Sequence, residues 1–475
     1  MLHESADRAY ERAPQPEQPE TDGSTPPRAA DDSRLTQIRE AVAQVMLITE
    51  ERAPRPEQTA PDDPFNLPTA QPTREDKVDA DENVAPLVLN PESRLIISFE
   101  GQFRLATEPA YSQLDALLAP LDLVALFRQT EVANQAPKQR IYVVQGRVNP
   151  KPRSWIPNAL LLAVTLLSVL FVGMQMALNE IAYTDLPLAE RLSDNGFAEL
   201  WRGLPYALSI LLILGAHELG HYFAARRHNI NVTLPYFLPA PGPISLFGTF
   251  GAFIQLRQPI RNRKMLLEIG AAGPLAGLVF AVPILLIGLA TSRVDPLLTG
   301  GYMEGNSILY ALAKIVVFGR FLPDGVQDVI VNQMAWAGWT GLFVTGLNLI
   351  PIGQLDGGHV LYSLLGSRTR KLFIPLMVIL TALVLVSGGG LLILLLMLFL
   401  LGRNHAVPLD DITPLDREHR WLAIGTLAVF ILVFVPIPLT LVVSQAPLLP
   451  VPGAGSVWLP IVAAVGVALW QRVRR

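Results

Sequence analysis

Residues 215–228 read GAHELGHYFAARRH, and the interpretation of this stretch decides what the rest of the chain must supply. On a helix, His217 and His221 lie one turn apart along the axis and about 40° apart around it, so both imidazoles reach toward one point. That spacing suits a shared Zn²⁺, and the acid between them, Glu218, stands where a general base for an activated water belongs. The residues before the motif, LPYALSILLIL, and the double arginine after it describe a segment apolar enough to cross a bilayer. Three ionisable side chains in hydrocarbon are costly without compensation, and a bound cation provides it, so a chance match is disfavoured here.

The composition agrees with a membrane setting. The chain has 475 residues, 51% of them hydrophobic and only 16% charged, well outside the usual soluble balance. A formal charge of −4 argues against nucleic acid as a partner. With no cysteine, thiolate ligands and cysteine nucleophiles are excluded, so a metal must be held by imidazole, carboxylate or carbonyl groups.

Working outward, residues 1–85 are rich in Pro, Glu, Asp and Ala and read as a mostly disordered tail. Within it, Leu35, Ile38, Val42 and Val45 fall at helical spacing, which suggests a short amphipathic helix as an exception to the disorder; its plainer reading is a transient helix in a tail. Residues 86–148 change character: RLIISFEG and RIYVVQGRV read as strands and EPAYSQLDALLAPL as a helix, giving a small α+β domain. Lys151 and Arg153, ahead of the first apolar run, put this domain in the cytoplasm.

The remainder, residues 149–475, reads as a membrane-embedded unit, so the expected fold is a polytopic α-helical membrane protein of about six to eight spans. Residues 229–264 carry prolines and glycines around strand-like runs and read as a hairpin or re-entrant element. Gly270, Gly273 and Gly277 suggest close helix approach rather than chemistry. Residues 292–330 read as an external excursion with one helix near Ile308–Phe318. Two short apolar runs around the SGGG break are a tight hairpin or one distorted helix, and residues 421–442 and 455–471 form a final pair of spans.

A zinc site needs a third ligand, and LNLIPIGQLDGGH (residues 347–359) offers Asp356, with Gly357 and Gly358 allowing a tight backbone turn beside it. Alone, Asp356 reads as a turn cap; beside the histidine motif it reads as a ligand. Asn348 suits either an oxyanion contact or an interhelical hydrogen bond. His359 is a candidate to orient Asp356, His228 and His419 read as solvated, and Glu268 as a group reaching for the interface.

HELGH in a span, NLIPIGQLDG downstream, and GTFGAFI and GAAGPLAG between them resemble the site-2 protease family of intramembrane zinc metalloproteases. The resemblance covers roughly residues 200–365. It implies His217, His221 and Asp356 as zinc ligands, Glu218 as catalytic base, Asn348 as a substrate or oxyanion contact, and GTFGAFIQLR as a substrate-positioning hairpin. It further implies hydrolysis of transmembrane protein substrates within the lipid bilayer. The alternative is a catalytically silent zinc-binding transporter, chaperone or scaffold, for which Glu218 has no use. The N-terminal residues have neither secretory-signal nor transit-peptide character, so a bacterial plasma membrane is the expected location.

Overall fold

A computed structural model describes residues 28–52, 95–130, 138–241, 245–297, 301–386, 392–402 and 407–442. The chain opens with helix α1 (Arg28–Val45) and strand β1 (Met46–Arg52), then β2 (Leu95–Phe103), α2 (Thr107–Leu118), β3 (Leu123–Thr130) and β4 (Lys138–Gln145). The four strands form an antiparallel sheet in the order β1-β2-β4-β3. The alternation in these strands buries Phe99, Phe127, Ile141 and Val143, and α1 covers them with Ile38, Val42 and Val45. These three positions recur at helical spacing, and all are fully buried, so this part of the expected tail is folded: its apolar stripe has a sheet to cover. The rest of the expected disordered tail, residues 1–27 and 53–85, lies outside the described residues. Inside the sheet, Glu100 lies opposite Arg140 and accepts from it at 3.0 Å, with Lys138 at 2.6 Å.

Three helices are long and apolar enough to cross a membrane among the described residues. They are α3 (Ile156–Ala182), the continuous helical run Gly196–Arg227, and a third helix downstream. A short α4 (Leu186–Asp194) precedes the second run, most of which is α5 (Leu204–Arg227). Strands β5 (Tyr236–Pro239) and β6 (Thr249–Phe253) form an antiparallel hairpin before the third long helix, α6 (Arg263–Ala290). The hairpin is pinned at both ends: Asn158 of α3 donates to the Leu234 and Pro235 carbonyls at 2.7 and 3.1 Å, and the Tyr206 hydroxyl of α5 to Phe247 at 2.7 Å.

Next come β7 (Arg293–Pro296), β8 (Gly301–Glu304), α7 (Ile308–Phe318) and β9 (Gln327–Ile330), with β7 and β9 paired. Lys314 of α7 is fully buried and lies 3.4 Å from Glu304 and 3.2 Å from Asp328, so a charged side chain in an apolar helix is neutralised from two strands. Then α8 (Gln333–Asn348), α9 (Asp356–Leu365), α10 (Thr369–Val386), α11 (Leu392–Leu401) and α12 (Arg417–Val433) follow. The expected span over 421–442 is not one helix: α12 ends at Val433, and after Pro436 and Pro438 the chain forms β10 (Leu439–Val442), paired with β8. Proline lacks the amide proton a helix needs and disfavours helical geometry before it, which accounts for the break. The SGGG residues 387–390 and the expected span 455–471 lie outside the described residues.

The membrane core is built on α5, α6 and α8. Gly338 of α8 meets Leu285 of α6 so closely that a Cβ would lie 2.6 Å from the Leu285 Cα, which brings the two backbones together.

Candidate metal centre

The HELGH residues occupy the last turns of α5, and His217, Glu218 and His221 are all buried. Asp356 is the first residue of α9, and its carboxylate turns to the two imidazoles instead of capping the helix before it. His217 Nε2 and His221 Nε2 are 3.3 Å apart, and each lies 3.3 Å from Asp356 Oδ2. The three atoms thus form a nearly equilateral triangle. Ligands about 2.0–2.1 Å from one tetrahedral Zn²⁺ stand about 3.3–3.4 Å apart, so the donor set fits zinc in chemistry and in spacing, with a fourth position left for water or substrate. Among the described residues it is the one cluster of three or more such side chains that could hold a metal ion.

The surroundings hold the imidazoles in place. His221 Nδ1 lies 2.7 Å from the Ile269 carbonyl of α6, an interaction that puts the ring proton on Nδ1 and leaves Nε2 as the free donor atom. Asn348, the last residue of α8, brings its side-chain nitrogen to 3.3 Å from His217 Nε2. Asp356 reaches the site because the chain doubles back at once after α8, and glycine is required there: a Cβ on Gly357 would lie 1.9 Å from the Leu349 carbonyl oxygen.

The glycines of α6, expected to serve only helix approach, do something more specific. A Cβ on Gly273 would lie 2.0 Å from His221 Nε2, and one on Gly277 would lie 3.3 Å from His217 Cβ. These two glycines are four apart, as the histidines are, so one helix leaves a notch for each ring of the other. The matched spacing was legible in the sequence, but its pairing required knowing that α5 and α6 are neighbours.

A cavity of about 260 Å³ joins His217, Glu218, His221, Asn348 and Asp356 to Ala252 and Phe253 of β6 and to the following Ile254. His359 lines the same cavity. The other histidines expected to be solvated are partnered. Glu268 of α6 bridges His228 at 2.8 Å and His419 at 2.9 Å, tying the end of α5 and the start of α12 to α6. Glu268 therefore holds helix ends together rather than reaching for water.

Comparison with known proteins agrees with this geometry. Residues 205–387 match the model of peptidase family M50. The chain is 32% identical over 251 residues to the probable zinc metalloprotease EGY2, chloroplastic, of Arabidopsis thaliana, covering 51% of this chain and 44% of that protein. It is 30% identical over 247 residues to the EGY2 protein of Oryza sativa subsp. indica, covering 51% and 44%. It is also 32% identical over 175 residues to the probable zinc metalloprotease EGY1, chloroplastic, of Arabidopsis thaliana, covering 36% and 31%. The chain thus spans less than half the length of these relatives. All three are named chloroplastic, which gives no support to a bacterial plasma membrane. No solved structure matches. Residues 205–387, which hold the complete His217, His221 and Asp356 cluster, are thus the part of the chain that is similar to peptidase family M50.

Proposed function

We propose that the chain is an intramembrane zinc metalloprotease that hydrolyses peptide bonds of transmembrane protein substrates. The observation that carries this reading is the 3.3 Å triangle of Nε2, Nε2 and Oδ2 atoms with an acid, Glu218, between the two histidines of a membrane-length helix. His217, His221 and Asp356 would hold Zn²⁺, which when bound supplies Lewis acidity and makes water a competent nucleophile near neutral pH.

The chain's own groups account for the rest. The Ile269 carbonyl fixes the His221 ring. Glu218, in the same cavity, takes the proton of the attacking water as the new C–O bond forms and then gives it to the leaving amine as the peptide C–N bond breaks. The Asn348 side-chain nitrogen, at the His217 edge of the site, donates to the oxygen that becomes negative in the tetrahedral intermediate. A helical substrate conceals its carbonyls in its own hydrogen bonds, so it must unwind before cleavage. Residues 252–254 line the cavity, and an extended substrate segment laid along β6 gains backbone hydrogen bonds that replace the helical ones.

Topology supports the same reading. Lys151, Arg153, Arg226, Arg227, Arg261, Arg263 and Lys264 flank the ends of the three long helices nearest the metal site, where the Arg257 side chain also meets the Lys151 carbonyl at 2.5 Å. An excess of Lys and Arg marks the cytoplasmic or equivalent face, so the site and the small α+β domain share that side of a polytopic membrane protein of six to eight spans.

The discriminating experiment is co-expression with single-span membrane proteins. Glu218→Gln is expected to retain zinc while cleavage falls at least about 10²-fold. Undiminished cleavage by purified Glu218→Gln protein excludes the mechanism, and a silent zinc-binding protein is the reading if wild type cleaves none of a broad panel.

A further inference from the structure

The segment AVPLDDITPLD begins at residue 406 and is far from the metal site in sequence, and its described part, residues 407–416, passes between the small domain and the membrane core. We infer that residues 407–413 form a coupling strap in which Asp411 is a positioning residue, tying the docking of the small domain to the placement of the helices that carry the metal site. This rests on the metalloprotease reading above.

On one side the strap continues the domain's sheet. Strand β3 pairs with β4 along one edge; along its other edge the Phe127 amide donates to Leu409 O at 2.9 Å and the Asp411 amide donates to Phe127 O at 3.2 Å. Arg128 donates to the Pro408 and Leu409 carbonyls at 2.9 and 2.8 Å, and Leu409 enters the domain's hydrophobic core. On the other side the Leu409 and Asp410 amides donate to the Ile260 and Arg261 carbonyls at 2.9 and 2.7 Å, immediately before α6. The strap is therefore bridged to both partners through isolated parallel contacts at Asp410, and it satisfies part of an edge that would otherwise be open.

Asp411 carries the connection inward. Its two carboxylate oxygens divide between two helices: Oδ1 accepts from Arg263 Nε at 2.8 Å and Oδ2 from the Tyr362 hydroxyl at 2.9 Å. Tyr362 is buried on α9, the ten-residue helix whose first residue is Asp356. Arg263 is the first residue of α6, the helix whose Ile269 carbonyl holds His221 and whose Gly273 gives its ring room. One carboxylate thus cross-links the helix that supplies the third ligand to the helix that orients the second, while its own backbone is held by the small domain. Metal sites tolerate ligand displacements of only about 0.5 Å, so a short helix freed at Tyr362 is enough to weaken the site.

The test is zinc affinity of the full-length protein, measured by competition with a chelator. Tyr362→Phe, which removes only the hydroxyl, is expected to weaken zinc binding about tenfold, the low end for partners that orient metal ligands. Asp411→Asn combined with it should cost little more, because Tyr362→Phe has already broken the cross-link that Asp411 makes between Arg263 and α9. Arg128→Ala, which removes the domain-side hydrogen bonds to the Pro408 and Leu409 carbonyls and leaves the Asp411 hydrogen bonds to Arg263 and Tyr362 in place, should weaken zinc binding in the same direction. Thr107→Val, which breaks the 2.8 Å contact between Thr107 and Thr413, serves the same purpose if Arg128→Ala fails to fold. Unchanged affinity in Tyr362→Phe, or in the domain-side variant that folds, overturns the coupling. His217→Ala separates the two ideas: if it also binds zinc as tightly as wild type, the metal-site reading itself fails, whereas its loss of zinc beside unaffected strap variants rejects the strap alone.

Discussion

At the scale of single residues, the site is a matter of tenths of an ångström. His217, His221 and Asp356 are recognisable in the sequence because a helix fixes the separation of the two histidines and because a carboxylate followed by two glycines stands out at the end of an apolar run. What makes them a site is the space around them. Gly273→Ala places a methyl carbon on the His221 ring, 2.0 Å from the donor nitrogen, so the ring must move. Zinc affinity is expected to fall at least about tenfold while α6 remains helical, since alanine is the better helix former; chelator competition with a parallel circular-dichroism spectrum checks both parts. Asn348→Ala separates the two roles open to that residue. An oxyanion donor predicts kcat lower by about 10²-fold or more with zinc retained, whereas an interhelical bond alone predicts lower stability and unchanged kcat in the folded protein.

Elements whose apolar face is filled by other parts of the chain gain their structure there. Helix α1 has its stripe at Ile38, Val42 and Val45, yet nothing in residues 28–45 says that a sheet is waiting for it, and its proline-rich flanks suggest a tail. Ile38→Ala is expected to destabilise the small domain by about 2–5 kcal/mol, measured as earlier exchange of β1 and β2 amides in hydrogen exchange, and an unaffected exchange pattern rejects the packed helix. The same sheet has an acid dependence. Burial pushes the Glu100 carboxyl up, but hydrogen bonds from Lys138 and Arg140 outweigh it and hold the group below its ordinary value. A depressed carboxyl contributes stability that is present above the unfolded pKa, roughly 4.3, and is lost as pH falls through the lower folded value. Domain stability should therefore decline below about pH 4, and Glu100→Gln, less stable at neutral pH, should show a shallower decline over that window.

For the whole molecule, the positions of the basic residues and of the buried Lys314 cluster describe opposite ends of one bundle. A reporter inserted after Val148 is expected on the same side as the metal site and one near Glu304 on the other; both on one side would refute the orientation of α3, α5 and α6. The sequence by itself indicated the candidate metal ligands, the membrane character, the three long apolar helices and two of the four strands of the small domain, β2 and β4. Each rests on a local period, a composition or a fixed spacing, and such signals survive without knowledge of neighbours. Tertiary structure alone decided which helices face one another, and hence that Gly273 and Gly277 make room for the histidines, that Glu268 joins His228 to His419, and that Asp411 reaches Tyr362 and Arg263. It also decided that residues 439–442 are a strand against β8 rather than the end of a span. The physical reason is common to all of these: a side chain's partner across tens or hundreds of residues is set by packing, and packing leaves no periodic mark on the segment that undergoes it.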